Sequence, residues 1–370
     1  MQSKYVVVGG GLIGLAIARE LTHAGQEVLV LEKNIILGAE TSFRNSAVVH
    51  AGIYYLPQTL KAKLCVEGRK LLIDYCDEKK IAYNKRGKLI VATSDHQLPA
   101  LNHLLSTAKA NQIKELIPVT AAYISKLEPE ILAVAGLYSP ETAVLDGHSL
   151  LKHFTQDVKD GGGTILCGIA FQNATFDKNH INIQTNHAGM TIVTSYLINA
   201  AGLWASAVAR EIVGMPIQAI PFSYYAKGHY FELTKSAPFS HLIYPLPETS
   251  GLGIHATTDL KGITRFGPDV EWVNEIDYTV SPHLLPKFYH AIKQYYPAIK
   301  VEDLQPAFAG VRPKTLPPDQ QPQDFIIQDA TVHGLKNVIN LFGMESPGLT
   351  SCLAIAKEVR SRIKKNFPCH

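Results

Sequence analysis

The chain has 370 residues, 46% hydrophobic and 18% charged, enough to bury a large core and more than one compact domain commonly holds, so two domains are expected. Its 35 basic and 32 acidic side chains leave a formal charge of +3 with no dense basic run, so a nucleic-acid partner is not expected. Five widely spaced cysteines (Cys65, Cys76, Cys167, Cys352, Cys369) without a C-x-x-C pair indicate idle thiols in a reducing compartment rather than a zinc site or a disulfide frame.

No apolar run reaches the roughly 18–20 residues of a membrane span. The first strand begins almost at Met1, so no signal or transit peptide is expected. The expected location is cytoplasmic, with at most peripheral contact with a membrane.

Residues 4–8 form a short β-branched run, the pattern of a strand buried on both faces. Glycines follow, then Leu12, Ile13, Leu15, Ala16, Ala18 and Leu21 on a helical period. Gly25 ends that helix, and 28–32 reads as a second strand. A long segment with Gly and Ser runs from 38 to 55, and 60–79 is helical, with Leu64, Gly68, Leu71, Leu72 and Tyr75 on one face. From 83 to 138 the period is mixed, with a strand at 88–92 and helices at 98–111 and 121–127. A helix at 146–160 closes on Gly161-Gly162-Gly163 and leads to a strand at 164–167. A strand at 196–200 and a helix at 204–212 come next. The block 222–309 is rich in strands, with alternation at 229–231, 252–256 and 263–266. A strand at 338–342 and a helix at 349–363 finish the chain. The pattern predicts an α/β fold in which a Rossmann-type dinucleotide domain is assembled from discontinuous segments, 1–82, 145–215 and 331–370. An α+β substrate domain on a mixed or antiparallel sheet, 83–144 and 216–330, is inserted into it.

The strand-to-helix turn Gly9-Gly10-Gly11-Leu12-Ile13-Gly14 supplies G-x-G-x-x-G. Gly9 makes the tight turn, Gly11 lets the backbone approach a pyrophosphate, and Gly14 lets helix and strand pack closely. The helix N-terminus then offers N–H groups and partial positive charge to phosphates. Glu32, 18 residues after Gly14 at the end of the second strand, suits ribose hydroxyls and disfavours a 2′-phosphate. Leu12, Ile13 and Lys33 complete this contact set. The fingerprint does not separate NAD from FAD.

Three further segments bear on that choice. Thr41-Ser42-Phe43-Arg44-Asn45-Ser46 with Val48-Val49-His50-Ala51-Gly52-Ile53-Tyr54-Tyr55 resembles the second flavin-contacting stretch of the glycine oxidase/D-amino-acid oxidase superfamily. Asn199-Ala200-Ala201-Gly202-Leu203-Trp204 resembles its segment behind the nucleotide. Gly343-Met344-Glu345-Ser346-Pro347-Gly348-Leu349-Thr350 resembles its loop against the flavin pyrimidine ring. Within that superfamily the chain is similar to the L-2-hydroxyglutarate dehydrogenase/oxidase family, through Leu60-Lys61-Ala62-Lys63-Leu64-Cys65, Lys227-Gly228-His229-Tyr230-Phe231, Gly253-Ile254-His255 after Leu252, and Ala309-Gly310-Val311-Arg312-Pro313-Lys314. It departs where Lys227 and His229 replace Arg and Glu, and where Met344-Glu345 replaces smaller, neutral residues.

The resemblance implies FAD, held by the fingerprint together with Thr41, Ser42, Asn45, Ser46, Ala200, Gly202, Trp204, Gly310, Arg312, Pro347, Gly348, Leu349 and Thr350. It implies a 2-hydroxy acid substrate contacted by Tyr55, Lys227, His229 and Ser346. A helix starting at Gly348–Thr350 would stabilise negative charge on the reduced flavin. Arg312 suits a carboxylate clamp, because its planar fork binds bidentately, although it could instead pair with a structural carboxylate. His50 and His255 suit the base that takes the hydroxyl proton. His255 is favoured, leaving His50 to orient the substrate, tune the flavin or link to it covalently. Rival readings are an amine oxidase of the glycine or sarcosine type, a glycerol-3-phosphate dehydrogenase type, and a sensor without turnover. The electron acceptor is open between quinone, a carrier and O2.

Overall fold

The computed structural model describes the chain apart from residues 179, 247–252, 321 and 367–370. Leu252, the start of the 252–256 strand expected from sequence, and Cys369 lie outside the described residues. Gln2–Val8 runs through a parallel block because Tyr5, Val6, Val7 and Val8 bury both of its faces. Val28–Glu32 lies on one side and Thr191–Asn199 on the other, with Val8 opposite Leu31 and Asn199. Thr164–Cys167 extends the sheet beyond the former, and Val338–Phe342 beyond the latter. Val8, Glu32, Asn199 and Phe342 therefore end at one edge, where α/β sheets bind ligands.

Four helices, Leu12–Thr22, Leu60–Lys79, Gly147–Asp160 and Gly348–Asn366, pack on one face through a shared core that includes Leu15, Leu72, Phe154 and Ile355. Side chains start two of them: Thr59 Oγ accepts the Ala62 N–H and Asp146 accepts the Ser149 N–H. Asp157 ties three together, accepting from Arg19 and Lys79 at 2.8 Å and from Tyr75 at 2.9 Å. Gly68 is needed where two helices touch, since a Cβ there would lie 2.5 Å from the Thr350 carbonyl oxygen.

The second sheet has nine strands, in the order Glu271–Val273, Tyr224–Leu233, Thr264–Phe266, Ala256–Thr258, Leu242–Pro245, Lys88–Ala92, Ala135–Ser139, Ile117–Thr120, with Leu304–Lys314 on the other edge of Tyr224–Leu233. Its pairs are antiparallel except for Leu242–Pro245 beside Lys88–Ala92, so the sheet is mixed, as expected. Val48–Val49, Ala143–Leu145 and Tyr83–Asn84 form a small third sheet.

Two differences from the sequence reading have plain causes. The strand expected at 196–200 begins at Thr191, and a ribbon of Phe171–Asp177 and His180–Thr185 pairs onto its first half. Its Asn, Gln and Thr residues hid the strands, although Ile181 and Ile183 carry the alternation of one buried face. Ile326–Gln328, read within the substrate segment 216–330, pairs with Val338–Phe342 and so joins the first sheet. Among the described residues, no helix is long and apolar enough to cross a membrane.

Candidate active site

A cavity of about 1230 Å³ runs from the carboxyl edge of the first sheet to the face of the second. At its nucleotide end Gly9 has a φ of +115°, and a Cβ on Gly14 would fall 1.9 Å from the Gly9 carbonyl oxygen, so strand and helix meet without room for a side chain. Gly11 is the N-cap of Leu12–Thr22 and brings no side-chain acceptor of its own; Ser42 Oγ takes the Leu12 N–H at 3.0 Å. Glu32 is buried and lines the cavity. Its carboxylate is held by the N–H groups of Gly10 and Asn34, each at 2.8 Å. Across the opening, Lys33 pairs with Glu40 at 2.7 Å and sits 3.8 Å from the Trp204 ring centroid, while Trp204 Nε1 donates to Glu40.

The 41–50 segment forms the middle of the wall. Asn45 Nδ2 donates to the carbonyls of Thr41 and Ser42, and its Oδ1 accepts the Ala47 N–H. The Thr41 hydroxyl donates to the Val311 carbonyl at 3.3 Å, joining the segment to the second sheet. Thr350, in the first turn of Gly348–Asn366, accepts the His50 N–H at 3.0 Å and donates to the Val48 carbonyl at 3.3 Å. Pro347, Gly348 and Leu349 line the cavity beside it, as do Ser46, Ala200, Gly202 and Gly310.

At the far end, Arg312 stands on Leu304–Lys314 opposite Ala226. Its Nη2 donates to the Asp269 carbonyl at 2.6 Å, and among the described residues no carboxylate pairs with it. A Cβ on Gly228 would lie 2.3 Å from that Nη2, so glycine here is what lets the guanidinium lie across the strand. His50 Nε2 is 3.3 Å from Ser346 Oγ, and Nδ1 is buried without a hydrogen-bond partner among the described residues. Burial, then the charges of Lys88 and His255, pull its pKa down to about 3. His255 stacks on Tyr244, with ring centroids 3.6 Å apart and an angle of 12°. Tyr55 shares a hydrogen bond with Ser346, and burial holds its hydroxyl well above the usual range.

The family model for FAD dependent oxidoreductases (DAO) matches residues 4–362. The chain belongs to this FAD-dependent oxidoreductase family. An L-2-hydroxyglutarate dehydrogenase, mitochondrial, of Arabidopsis thaliana is 41% identical over 96% of this chain and 82% of that protein. An L-2-hydroxyglutarate dehydrogenase of Indibacter alkaliphilus is 28% identical over 99% of this chain and 100% of that protein. Among solved structures, an FAD-bound L-α-glycerophosphate oxidase of Mycoplasma pneumoniae superposes with a TM-score of 0.89 at 25% identity, covering 98% of this chain and 95% of that one. A glycine oxidase of Geobacillus kaustophilus shares the fold with a TM-score of 0.83 at 17% identity, over 98% and 95%.

The cofactor of this FAD-dependent oxidoreductase fits the residues present: a glycine cradle that a Cβ would fill, a helix start at the phosphate position and a carboxylate anchored for ribose. His50, His255, Arg312, Tyr55 and Ser346 converge on the far end of the cavity. Lys227 and His229 do not. They share a strand with Gly228 and Tyr230, which line the cavity, and alternate side chains of a strand point to opposite faces. Lys227 is paired with Asp277, while His229 Nδ1 lies 2.9 Å from Asp269 and Nε2 3.4 Å from Glu271. Both stand behind the wall as structural ion partners, which corrects their assignment to the substrate.

Sequence reasoning missed Tyr230, Tyr244 and Lys88. The signal for Lys88 was a lysine opening an otherwise apolar strand, Lys88-Leu89-Ile90-Val91-Ala92. The unusual Glu345 also finds its reason: its Oε1 accepts from Lys61 at 2.7 Å and Lys314 at 2.8 Å, both largely buried. Burial pushes the Glu345 carboxyl up, but the two lysines more than reverse this and leave it below its usual range. The neighbouring Lys63 is exposed.

A branched side chain at Gly11 would press on Ser42 Oγ, which a Cβ alone would meet at 2.9 Å. Gly11→Val is expected to purify without FAD; full flavin occupancy, read from absorbance after gel filtration, would contradict this cradle.

Proposed function

We propose that this chain oxidises L-2-hydroxyglutarate to its 2-oxo acid. The observation that carries the reading is Arg312, whose guanidinium faces the cavity with a backbone carbonyl but no carboxylate as its partner among the described residues. A fork of donors lacking a carboxylate is suited to bind one. Among the described residues, an ammonium substrate would find no unpaired carboxylate beside Arg312 to receive it. The relatives named L-2-hydroxyglutarate dehydrogenase support this choice over an amine oxidase.

FAD, when bound, supplies the acceptor for the hydride that leaves C2. Arg312 holds the C1 carboxylate, and the Tyr55–Ser346 pair, beside His50, borders the reacting carbon. A base must take the hydroxyl proton as the carbonyl forms. His50 is a poor choice, since burial and the nearby charges of Lys88 and His255 make its neutral imidazole too weak a base to take the proton. As a neutral ring with one nitrogen toward Ser346, it orients the hydroxyl. His255, held flat on Tyr244, is the base.

The two large sheets are proposed as two domains, FAD-binding and substrate-binding, with Ile326–Gln328 counted in the first. The reduced enzyme passes its electrons to quinone, a soluble carrier or O2. Cys65, Cys76, Cys167 and Cys352 are free thiols, which supports a reducing compartment, here read as the cytoplasm; the word mitochondrial belongs to the names of relatives.

Arg312→Lys keeps the charge and loses the fork, so it should retain FAD while weakening saturation by L-2-hydroxyglutarate roughly tenfold or more. Anaerobic stopped-flow reduction measures this, and an unchanged saturation curve makes Arg312 structural. His255→Ala should slow reduction by about 10²–10⁴-fold and remove the rise of rate with pH near neutrality. His50→Ala should slow it and leave the shape of that pH profile intact. The assignment fails if His255→Ala keeps the wild-type rate and profile.

A further inference from the structure

One cation at the substrate end has no part in these roles. Lys88 is 1% exposed at the start of Lys88–Ala92. Its Nζ lies 4.7 Å from the centroid of the Tyr54 ring and 4.6 Å from that of Tyr244. Among the described residues no carboxylate pairs with it. The anion-forming group beside it is the Cys65 thiol, and burial pushes that up to about 12, so it carries no charge at neutrality. An ammonium held between two aromatic faces without an anion is costly to bury. Such a site invites an anion from outside.

The cavity is where that anion would arrive. Tyr54 and Tyr244 both line it, together with His50 and His255. Arg312 and Lys88 stand on strands of the same sheet with four others between them, and Tyr230 and Tyr244 belong to two of those four. Arg312 thus lines the cavity, and Lys88 lies directly behind two of its tyrosines, Tyr54 and Tyr244; among the described residues neither has a carboxylate partner. Paired cations such as Lys61 and Lys314 are already committed to Glu345.

We propose that Lys88 makes the enzyme selective for 2-hydroxy acids with a second carboxylate: Arg312 takes the carboxylate next to the reacting carbon, and the ammonium between Tyr54 and Tyr244 is the counter-charge for the far one. This rests on the 2-hydroxy diacid reading above. Burial pulls the Lys88 ammonium down to about 7, so with no anion present it is only partly charged at neutrality. An arriving carboxylate favours its charged form, and diacid binding therefore takes up a proton above that pH. The other groups facing it do not mimic this effect. Burial raises the Tyr54 and Tyr244 hydroxyls and the Cys65 thiol, and His50 is already neutral. Arg312 holds the near carboxylate and His255 stands at the reacting carbon, an end that monoacids and diacids share.

The test uses FAD-loaded enzyme and two unreactive acids, glutarate and pentanoate, which differ by one carboxylate. Calorimetry should show Lys88→Met weakening glutarate by about 30-fold, the low end for loss of a buried charge partner, with pentanoate changed less than about twofold. Lys88→Arg should recover most of the difference. In the wild type, which needs no variant to fold, glutarate affinity should fall more steeply than that of pentanoate between about pH 6 and 9. A glutarate preference that survives in Lys88→Met, or parallel pH profiles in the wild type, overturns the role of Lys88. A wild type that binds the two acids equally overturns the diacid reading as well.

Discussion

The geometry of the site hangs on Thr350. Its side chain is fully buried, its hydroxyl joins the His50 N–H to the Val48 carbonyl, and its own carbonyl presses against Gly68. One residue thus locks the start of Gly348–Asn366, the 48–50 wall and the Leu60–Lys79 helix. Each hydrogen bond contributes only about 1 kcal/mol net, but together they fix where the helix begins relative to His50. A helix start displaced by one residue would turn its N–H groups away from the cavity and carry His50 with it.

Charge divides the cavity into two ends. The nucleotide end presents Glu32, anchored by backbone N–H groups, and Glu40, shared by Lys33 and Trp204. Among the described residues the far end is lined by Arg312, Lys61 and Lys314 against Glu345 and Asp324, with Lys88 behind Tyr54 and Tyr244, and Asp324 is spent on the N–H groups of Leu60 and Lys61. The positive excess sits in a largely apolar, tyrosine-lined recess, where screening by water is weak and the field on an anion is correspondingly strong. A dianion is drawn to that end and away from the carboxylates of the other.

The nucleotide half was legible because its chemistry is local. Strand, glycines, helix, second strand and Glu32 follow one another within 32 residues, and each constraint acts on near neighbours. The mixed substrate sheet was legible in class, from alternation in 222–309. Side-chain direction was not. Lys227 and His229 are cations in a motif that also places Gly228 and Tyr230, and only the phase of the strand, set by pairing with Leu304–Lys314, decides which pair faces the cavity. Lys88 was missed for a related reason: it opens an apolar strand, but its neighbours Tyr54 and Tyr244 come from distant segments. Glu345 stood out as unusual, yet its partners Lys61 and Lys314 lie far along the chain.

The central claim is that this end of the cavity oxidises a 2-hydroxy diacid with FAD. Anaerobic titration of the purified yellow protein tests it most directly, by following the flavin absorbance as candidate substrates are added. L-2-hydroxyglutarate should bleach it, while glycine, sarcosine and glycerol 3-phosphate leave it oxidised. Bleaching by one of those three and none by L-2-hydroxyglutarate would contradict the account.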